Sequence, residues 1–342
     1  MPRRYDVVAL GEGMVEFNQT RAGEPEYLQG FGGDTSNAVI AAARAGARTA
    51  YLSRVGNDWS GDRLMALWQA EGVDSRAVER TDDGPTGLYF VTHGPQGHEF
   101  GYQRRGSAAA RMTPGWFSGA PSDVVAQAGI LHVSGISMAI SATACDTVLA
   151  AMQAARAAEC RVSLDSNLRL KLWPLDEARA AIARAAALCD WFLPSMDDAV
   201  HLSGHSDPQA VVDWAHGLGA PKVVLKLGGE GCLISANGQR EHIPGHAVPL
   251  VDATGAGDCF CGNLLACLAN GDALSAAARY ANAAAAIAST STSQRLTLAP
   301  DCSSRVAMAY PIPRAPPVTA ALLFLRSIWF MRAQDGGGVR RR

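Results

Sequence analysis

The ten residues VDATGAGDCF, Val251 to Phe260, set three small residues between Thr254 and Asp258, directly ahead of an apolar helical pattern. Gly255, Ala256 and Gly257 let a backbone come close to an anion. Amides at the start of the following helix would point at that anion, with the macrodipole behind them. Phe260, Leu264 and Leu268 recur at i, i+4 and i+8, so the helix buries one face and carries Asp258 at its mouth. A carboxylate beside an anion hole is electrostatically costly as a mere cap. It is useful if it takes the proton of a hydroxyl that attacks a phosphoryl group held by those amides. Read locally, the stretch is also a turn with a helix-capping Asp, and the rest of the chain must decide.

A second cluster, GFGGDTSNAV from Gly30 to Val39, places Asp34, Thr35, Ser36 and Asn37 at a helix start after two glycines. Backbone amides and short polar side chains exposed together suit a polyhydroxylated ligand. The same residues suit a capped helix after a glycine turn. Other chemistries are excluded by spacing. GEGMVEF begins like a dinucleotide fingerprint but has Glu16 where the third glycine is required, and neither GxxxxGK[ST] nor GxSxG occurs.

The elements that must position these clusters alternate. DVVALG (Asp6 to Gly11) reads as a buried strand, and SNAVIAAARAGA as a helix capped by Ser36 or Asn37 and ended by Gly46. TAYLSRVG is a strand, and GDRLMALWQAEGV a helix with Leu64, Leu67 and Trp68 at helical spacing. GILHVSGI, RVSLDSN, DWFLPS and KVVLKLGG follow as strands, most of them separated by helical patterns such as Thr143 to Ala158. Such alternation gives an α/β fold with a parallel sheet covered on both faces, and ligands lie beyond the carboxyl ends of its strands. TGLYFVTHGPQGHEFGYQRRG breaks the alternation with two strand-like runs around GPQG. It reads either as a small lid over the main sheet or as an ordinary edge hairpin.

Composition bounds the rest. The 342 residues are 48% hydrophobic and 18% charged with net charge −2, ordinary for a soluble globular chain and no basis for a general nucleic-acid or membrane-surface binder. Eight scattered cysteines form no CxxC pair and read as buried small hydrophobes in a reducing compartment. The first residues lack a signal-peptide h-region, and VTAALLFLRSIWF is interrupted by Arg326 and too short for a span, so a cytoplasmic location is expected. From about Ser289 the chain turns rich in Ser, Thr and Pro and ends in GGGVRRR, which predicts a disordered end.

The two glycine motifs, in this order and roughly 220 residues apart, resemble the signatures of the PfkB (ribokinase-like) carbohydrate kinases. GGDTSNAVIAAARAGARTAYLSRVGNDWSGDRLMALWQAEGVD is similar to the N-terminal signature and DATGAGDCFCGNLLACL to the C-terminal one, within a likeness from about Asp6 to about Ala288. The resemblance implies a Rossmann-like ribokinase fold, with a mostly parallel central sheet flanked by helices and a small β lid. It implies ATP-dependent phosphorylation of a sugar-like hydroxyl, with Asp258 as catalytic base and Gly255, Ala256 and Gly257 as anion hole. Within the family, GEGMVEF, GYQRRGSAA and DSNLRLKLW are most similar to the branch acting on the sugar acid 2-keto-3-deoxygluconate. By that likeness Gly33, Asn37, Tyr89, Tyr102, Arg104 and Arg169 would meet the substrate. Paired arginines suit a carboxylate, since the guanidinium fork matches it. For ATP, LKLGGEGC brings Lys226, Gly228 and Gly231, with Asn167 and Asn282 as further candidates. Mg2+ is implied with ATP, and a monovalent cation is a further option.

The resemblance implies one kinase domain over 1–314, with a lid from roughly 12–33 and 86–106, followed by an atypical tail over 315–342. Two departures stand out. The family's N-x-x-E pattern is replaced in PSMDDA by Ser195 and Asp198, so no metal ligand is assigned. The glycine-containing closing loop is replaced by STSTSQRLTLAPDCSSRVAMAYPIPR, which bears on ATP binding. The alternatives are a fructokinase or ribokinase, a nucleoside kinase (against which the arginines argue), and a non-catalytic sugar-acid sensor. A homo-oligomer through the lid is expected, because lid edges leave backbone groups that a second copy can cover.

Overall fold

The computed structural model describes residues 3–94 and 97–290. The atypical C-terminal stretch and the tail over 315–342 lie outside the described residues. Eight strands form the main sheet: β1 (Tyr5–Leu10), β4 (Thr49–Leu52), β9 (Ala128–Ser134), β10 (Arg161–Asp165), β11 (Trp191–Phe192), β12 (Lys222–Lys226), β13 (Gly231–Ala236) and β14 (Gln239–Pro244). Their order is β14-β13-β12-β11-β10-β9-β1-β4. Every pairing from β12 to β4 is parallel, and β13 and β14 are added antiparallel at one edge. Helices cover both faces, as the alternation of apolar runs and amphipathic stretches requires.

A separate sheet carries β2 (Met14–Gln19), β3 (Tyr27–Gly32), β7 (Leu88–Gly94) and β8 (Gly97–Gln103) in the order β3-β2-β7-β8. This is the β lid. The GPQG hairpin supplies β7 and β8, and a second hairpin from the N-terminal region pairs with it through the parallel β2–β7 contact. The run TAYLSRVG is not one strand. It breaks at Ser53, whose hydroxyl donates to the Gly11 carbonyl at 2.7 Å, and resumes as β5 (Arg54–Gly56) beside β6 (Glu79–Thr81).

Three helices matter most for the site. The helix α1 (Asp34–Arg44) starts three or four residues earlier than its sequence suggests, because Gly33, not Ser36 or Asn37, occupies the N-cap position. The helix α2 (Trp59–Ala70) buries Leu64 and Trp68 under the lid side of the sheet, with Leu67 half-covered, and Asp58 caps it by accepting from the Gly61 amide. The helix α3 (Ala256–Ala269) packs along α1 over Val7, Ile130 and Val224. The two backbones come together at Gly262, where an added Cβ would lie 2.1 Å from the Ala38 carbonyl oxygen. That approach sets the N-termini of α1 and α3 side by side at the carboxyl edge of the sheet. Among the described residues no helix is long and apolar enough to cross a membrane.

Candidate active site

The N-terminus of α3 answers the question raised by VDATGAGDCF. Gly255 is the N-cap, in a left-handed conformation, and no side chain caps the helix. Asp258 is not a cap. Its Oδ2 accepts a hydrogen bond of 2.9 Å from Asn37 Nδ2, one turn into α1. Asp258 keeps part of its surface open to the crevice. The protein packed around it, with the Asp34 carboxylate next in importance, pushes its pKa up to about 7. The Asn37 amide opposes that rise, Asp165 adds to it and Lys226 subtracts from it. A carboxylate poised near neutrality is suited to accept a proton at physiological pH.

Of the three residues expected to form an anion hole, Gly255, Ala256 and Gly257, one has its amide engaged. The Ala256 amide is used, donating to the Ala253 carbonyl at 3.1 Å. The amides of Gly257 and Asp258 lie within the first turn, where an α-helix has no partner of its own for them. They are the donors that α3 offers, with the positive end of its dipole behind them.

Under these helices, two strand ends supply a charged floor. Lys226, at the end of β12, donates to both oxygens of Asp165, at the end of β10, at 2.9 and 2.8 Å. Burial works against the ammonium, but Asp165 outweighs it and Lys226 stays above its ordinary value. Lys226 Nζ also lies 3.8 Å from the point where a Cβ on Gly257 would stand, so the cation faces the α3 terminus. Asn167 follows in a positive-φ conformation and donates to Asp34 Oδ2 at 2.9 Å, tying the β10 end to α1. The other oxygen, Asp34 Oδ1, is buried with no partner among the described residues.

The candidate residues thus fall into two groups. Lys226, Gly228, Gly231 and Asn282 form one corner. Gly228 opens the turn after β12, Gly231 packs against the Ile243 carbonyl, and Asn282 donates to the carbonyls of Ile243 and Pro244 at 3.1 and 3.2 Å. The amide nitrogen of Asn282 is therefore committed to β14. Gly33, Asn37, Tyr89, Tyr102 and Arg104 lie on the lid side. Gly33 has φ of 112°, and an added Cβ would meet the Glu12 carbonyl oxygen at 2.3 Å, so only glycine fits. Tyr89 is buried, donates its hydroxyl to Glu16 and stacks on Tyr102 with ring centroids 5.8 Å apart. Burial, then the Glu16 charge, drives the Tyr89 pKa up. Burial likewise raises that of Glu16 against the hydrogen bonds from Tyr89 and Asn18. Arg104 is not a free cation. It pairs with the buried Glu12, which also accepts from Ser107 Oγ at 2.5 Å. Arg169, by contrast, is exposed, donates to the Leu168 carbonyl at 2.8 Å and makes no ion pair among the described residues.

Sequence reading gave no site role to Glu12, Glu16 or Asp165. The two glutamates stand in GEGMVEF, and the signal for them is acidic residues inside an otherwise apolar strand pattern. Ser195 and Asp198, which replace the family's metal-linked pattern, have structural work. Ser195 caps the helix Met196–Ser203 through the Asp198 amide, and Asp198 accepts from Ser166 Oγ and the Leu168 amide at 2.7 and 3.1 Å. Among the described residues, no three His, Cys, Asp or Glu side chains converge as a metal site.

A parallel sheet with two helix N-termini over its carboxyl edge, an ionisable carboxylate between them and a lid alongside is an arrangement suited to an anionic ligand. The chain matches the pfkB family carbohydrate kinase model over residues 4–302 and belongs to that family. It is 33% identical to the 2-dehydro-3-deoxygluconokinase of Bacillus subtilis (strain 168), covering 83% of this chain and 89% of that protein. To Fructokinase-2 of Oryza sativa subsp. japonica it is 30% identical, covering 83% and 88%. The structure of a putative Ribokinase II of E. coli in complex with ATP and Mg+2 superposes with a TM-score of 0.77 at 25% identity, covering 96% of this chain and 100% of that one. This protein is a sugar kinase with the ribokinase-like fold.

Proposed function

We propose that the chain is an ATP-dependent kinase of 2-keto-3-deoxygluconate (2-dehydro-3-deoxygluconate) that forms the 6-phosphate. The observation that carries the chemistry is Asp258, poised near neutrality and aimed by Asn37 beside the first-turn amides of Gly257 and Asp258, which have no partner among the described residues. The terminal hydroxyl of the sugar acid gives its proton to Asp258 as its oxygen attacks the γ-phosphorus. The bond from that phosphorus to the bridging oxygen breaks, and ADP leaves with the electron pair. Amides at the α3 terminus and Lys226 stabilise the charge on the transferring group, while the corner at Gly228, Gly231 and Asn282 receives the nucleotide. The substrate lies under the lid against Gly33, Tyr89 and Tyr102, with its carboxylate toward Arg169 and Arg104.

Magnesium fits this scheme only as an ion carried on the nucleotide. Asp165 is occupied by Lys226 and Asp198 by Ser166 and Leu168, so no carboxylate cage is formed among the described residues. Bound to the phosphates, Mg2+ would spread their charge.

The pairing of Arg104 with Glu12 favours a second reading. With one of the two arginines already neutralised, a neutral sugar is a credible substrate, as for the fructokinase relative. Coupled ADP release with 2-keto-3-deoxygluconate, gluconate, fructose and ribose separates the two. Turnover confined to the keto-deoxy acid supports the first reading, and preference for fructose supports the second. We further infer a homo-oligomer through the lid. Its outer strands β3 and β8 expose Tyr27, Leu28, Phe100 and Tyr102, and light scattering on wild type and a Leu28→Lys, Phe100→Lys variant tests this.

A further inference from the structure

The chain crosses between the main sheet and the lid four times: at 11–13, at Gly33, at 82–87 and after β8 at 104–108. Glu12 touches all four. It lies in the first crossing and is 2% exposed. Its carbonyl oxygen is the atom that an added Cβ on Gly33 would strike at 2.3 Å, and its Oε1 the one that an added Cβ on Gly87 would meet at 2.7 Å. From the fourth crossing, Ser107 donates to Oε1, and Arg104 donates to Oε2 through Nε at 2.8 Å and through Nη2. A carboxylate at such a junction is costly to bury, and the Arg104 and Ser107 donors offset that cost.

The pairing also orients the arginine. Nε and Nη2 are spent on one oxygen of Glu12, and the guanidinium lies 5.8 Å from the centroid of the Tyr102 ring. Nη1 has no partner among the described residues, yet it is not among the fully buried unsatisfied atoms, so it keeps some accessible surface. The side chain as a whole is only 9% exposed. One edge of the fork is pinned and the opposite nitrogen is presented.

We propose that Glu12 is a positioning residue for substrate binding: at the junction of the four lid crossings it pins Arg104 so that Nη1 faces the substrate's anionic end. The proposal rests on Arg104 meeting the substrate, as in the functional reading above. Glu12 itself touches no substrate and acts through the arginine. Because Glu12 touches every crossing, with its carboxylate on the third and fourth, the aim of Arg104 is tied to the angle of the lid.

The test is steady-state ADP release from the sugar acid by wild type, Glu12→Gln, Arg104→Gln and the double variant. Arg104→Gln is expected to raise KM roughly 10- to 100-fold, the range for losing a charge-assisted hydrogen bond. Glu12→Gln should raise KM about 10-fold with kcat changed less than about 3-fold, and the double variant should match Arg104→Gln alone. Multiplying losses, or a Glu12→Gln protein with lowered melting temperature and unchanged KM, overturn the proposal. An Arg104→Gln protein with unchanged KM refutes the arginine assignment itself, and the positioning role falls with it. Should Glu12→Gln fail to fold, Ser107→Ala frees Oε1 while keeping the ion pair. It should raise KM about 3- to 5-fold in wild type and have no effect on the Arg104→Gln background. Equal effects in both backgrounds overturn the proposal.

Discussion

Replacing Asp258 by Asn should make the protein nearly inactive and, at neutral and alkaline pH, more stable. Burial, with the Asp34 carboxylate next, pushes the Asp258 pKa up to about 7 from its ordinary 3.8. A difference of about 3 units at ~1.36 kcal/mol per unit is about 4 kcal/mol of cost for the ionised form, and solvent reaching the open side of the crevice reduces this to about 2–4 kcal/mol. The sign follows from proton binding. Between pH 3.8 and about 7 the folded state holds the Asp258 proton and the unfolded chain does not, so this group's contribution to stability falls as pH rises through that window. Above it the cost is constant. Asn carries no such cost, so the gain over wild type is full above pH ~7 and vanishes below pH ~4. With an unfolding entropy of roughly 2.1 cal/mol/K per residue, the gain corresponds to a melting temperature higher by about 3–7 °C. The assay is thermal unfolding of both proteins from pH 4.5 to 8.5, with turnover measured on the same samples and expected to fall 10²- to 10⁴-fold. A melting difference that does not change with pH, or full turnover by the Asn variant, would refute the reasoning.

Three other outcomes follow from the same site. The logarithm of kcat/KM should rise with pH to a plateau, with its acid limb near pH 7, and Asp34→Asn should move that limb to lower pH by removing the neighbouring carboxylate; a limb that stays in place contradicts the charge coupling. Lys226→Met strands Asp165 without its cation and should destabilise the fold by about 3–5 kcal/mol in urea unfolding, whereas Lys226→Met with Asp165→Leu should recover most of it. Arg169→Gln should raise KM for the sugar acid roughly 10-fold with the melting temperature unchanged, because the residue is exposed and makes no ion pair among the described residues; equal losses on acid and neutral sugars would remove its role.

Much of the scaffold was legible because it is written in local periodicity. Alternating apolar runs and amphipathic stretches gave the parallel sheet, and Asp258 could be placed at a helix mouth from the spacing of Phe260, Leu264 and Leu268 alone. The start of α1 was misplaced because Ser36 and Asn37 are favoured caps by type, while Gly33 takes the position through a backbone conformation that other residues avoid. TAYLSRVG looked continuous because nothing within it announces that Ser53 turns to Gly11. The strand β14 escaped notice because QREHIP, at a sheet edge, exposes nearly every side chain and shows no alternation. The pairing of Arg104 with Glu12 was hidden for another reason: partners far apart in sequence leave no local trace.

The lid also has a history written in its connectivity. Its two hairpins can each form early, since their strands are neighbours in the chain. The seam between them, Val15 against Leu88 and Asn18 against Val91, is parallel and spans the entire segment that makes α1, β4 and α2. Closing that seam requires the intervening units to be in place, and loop-closure entropy delays it. The lid is therefore assembled late and should open first. In hydrogen exchange, amides of the β2–β7 seam should lose protection before those of β1 and β9, so the lid can breathe while the main sheet stays shut.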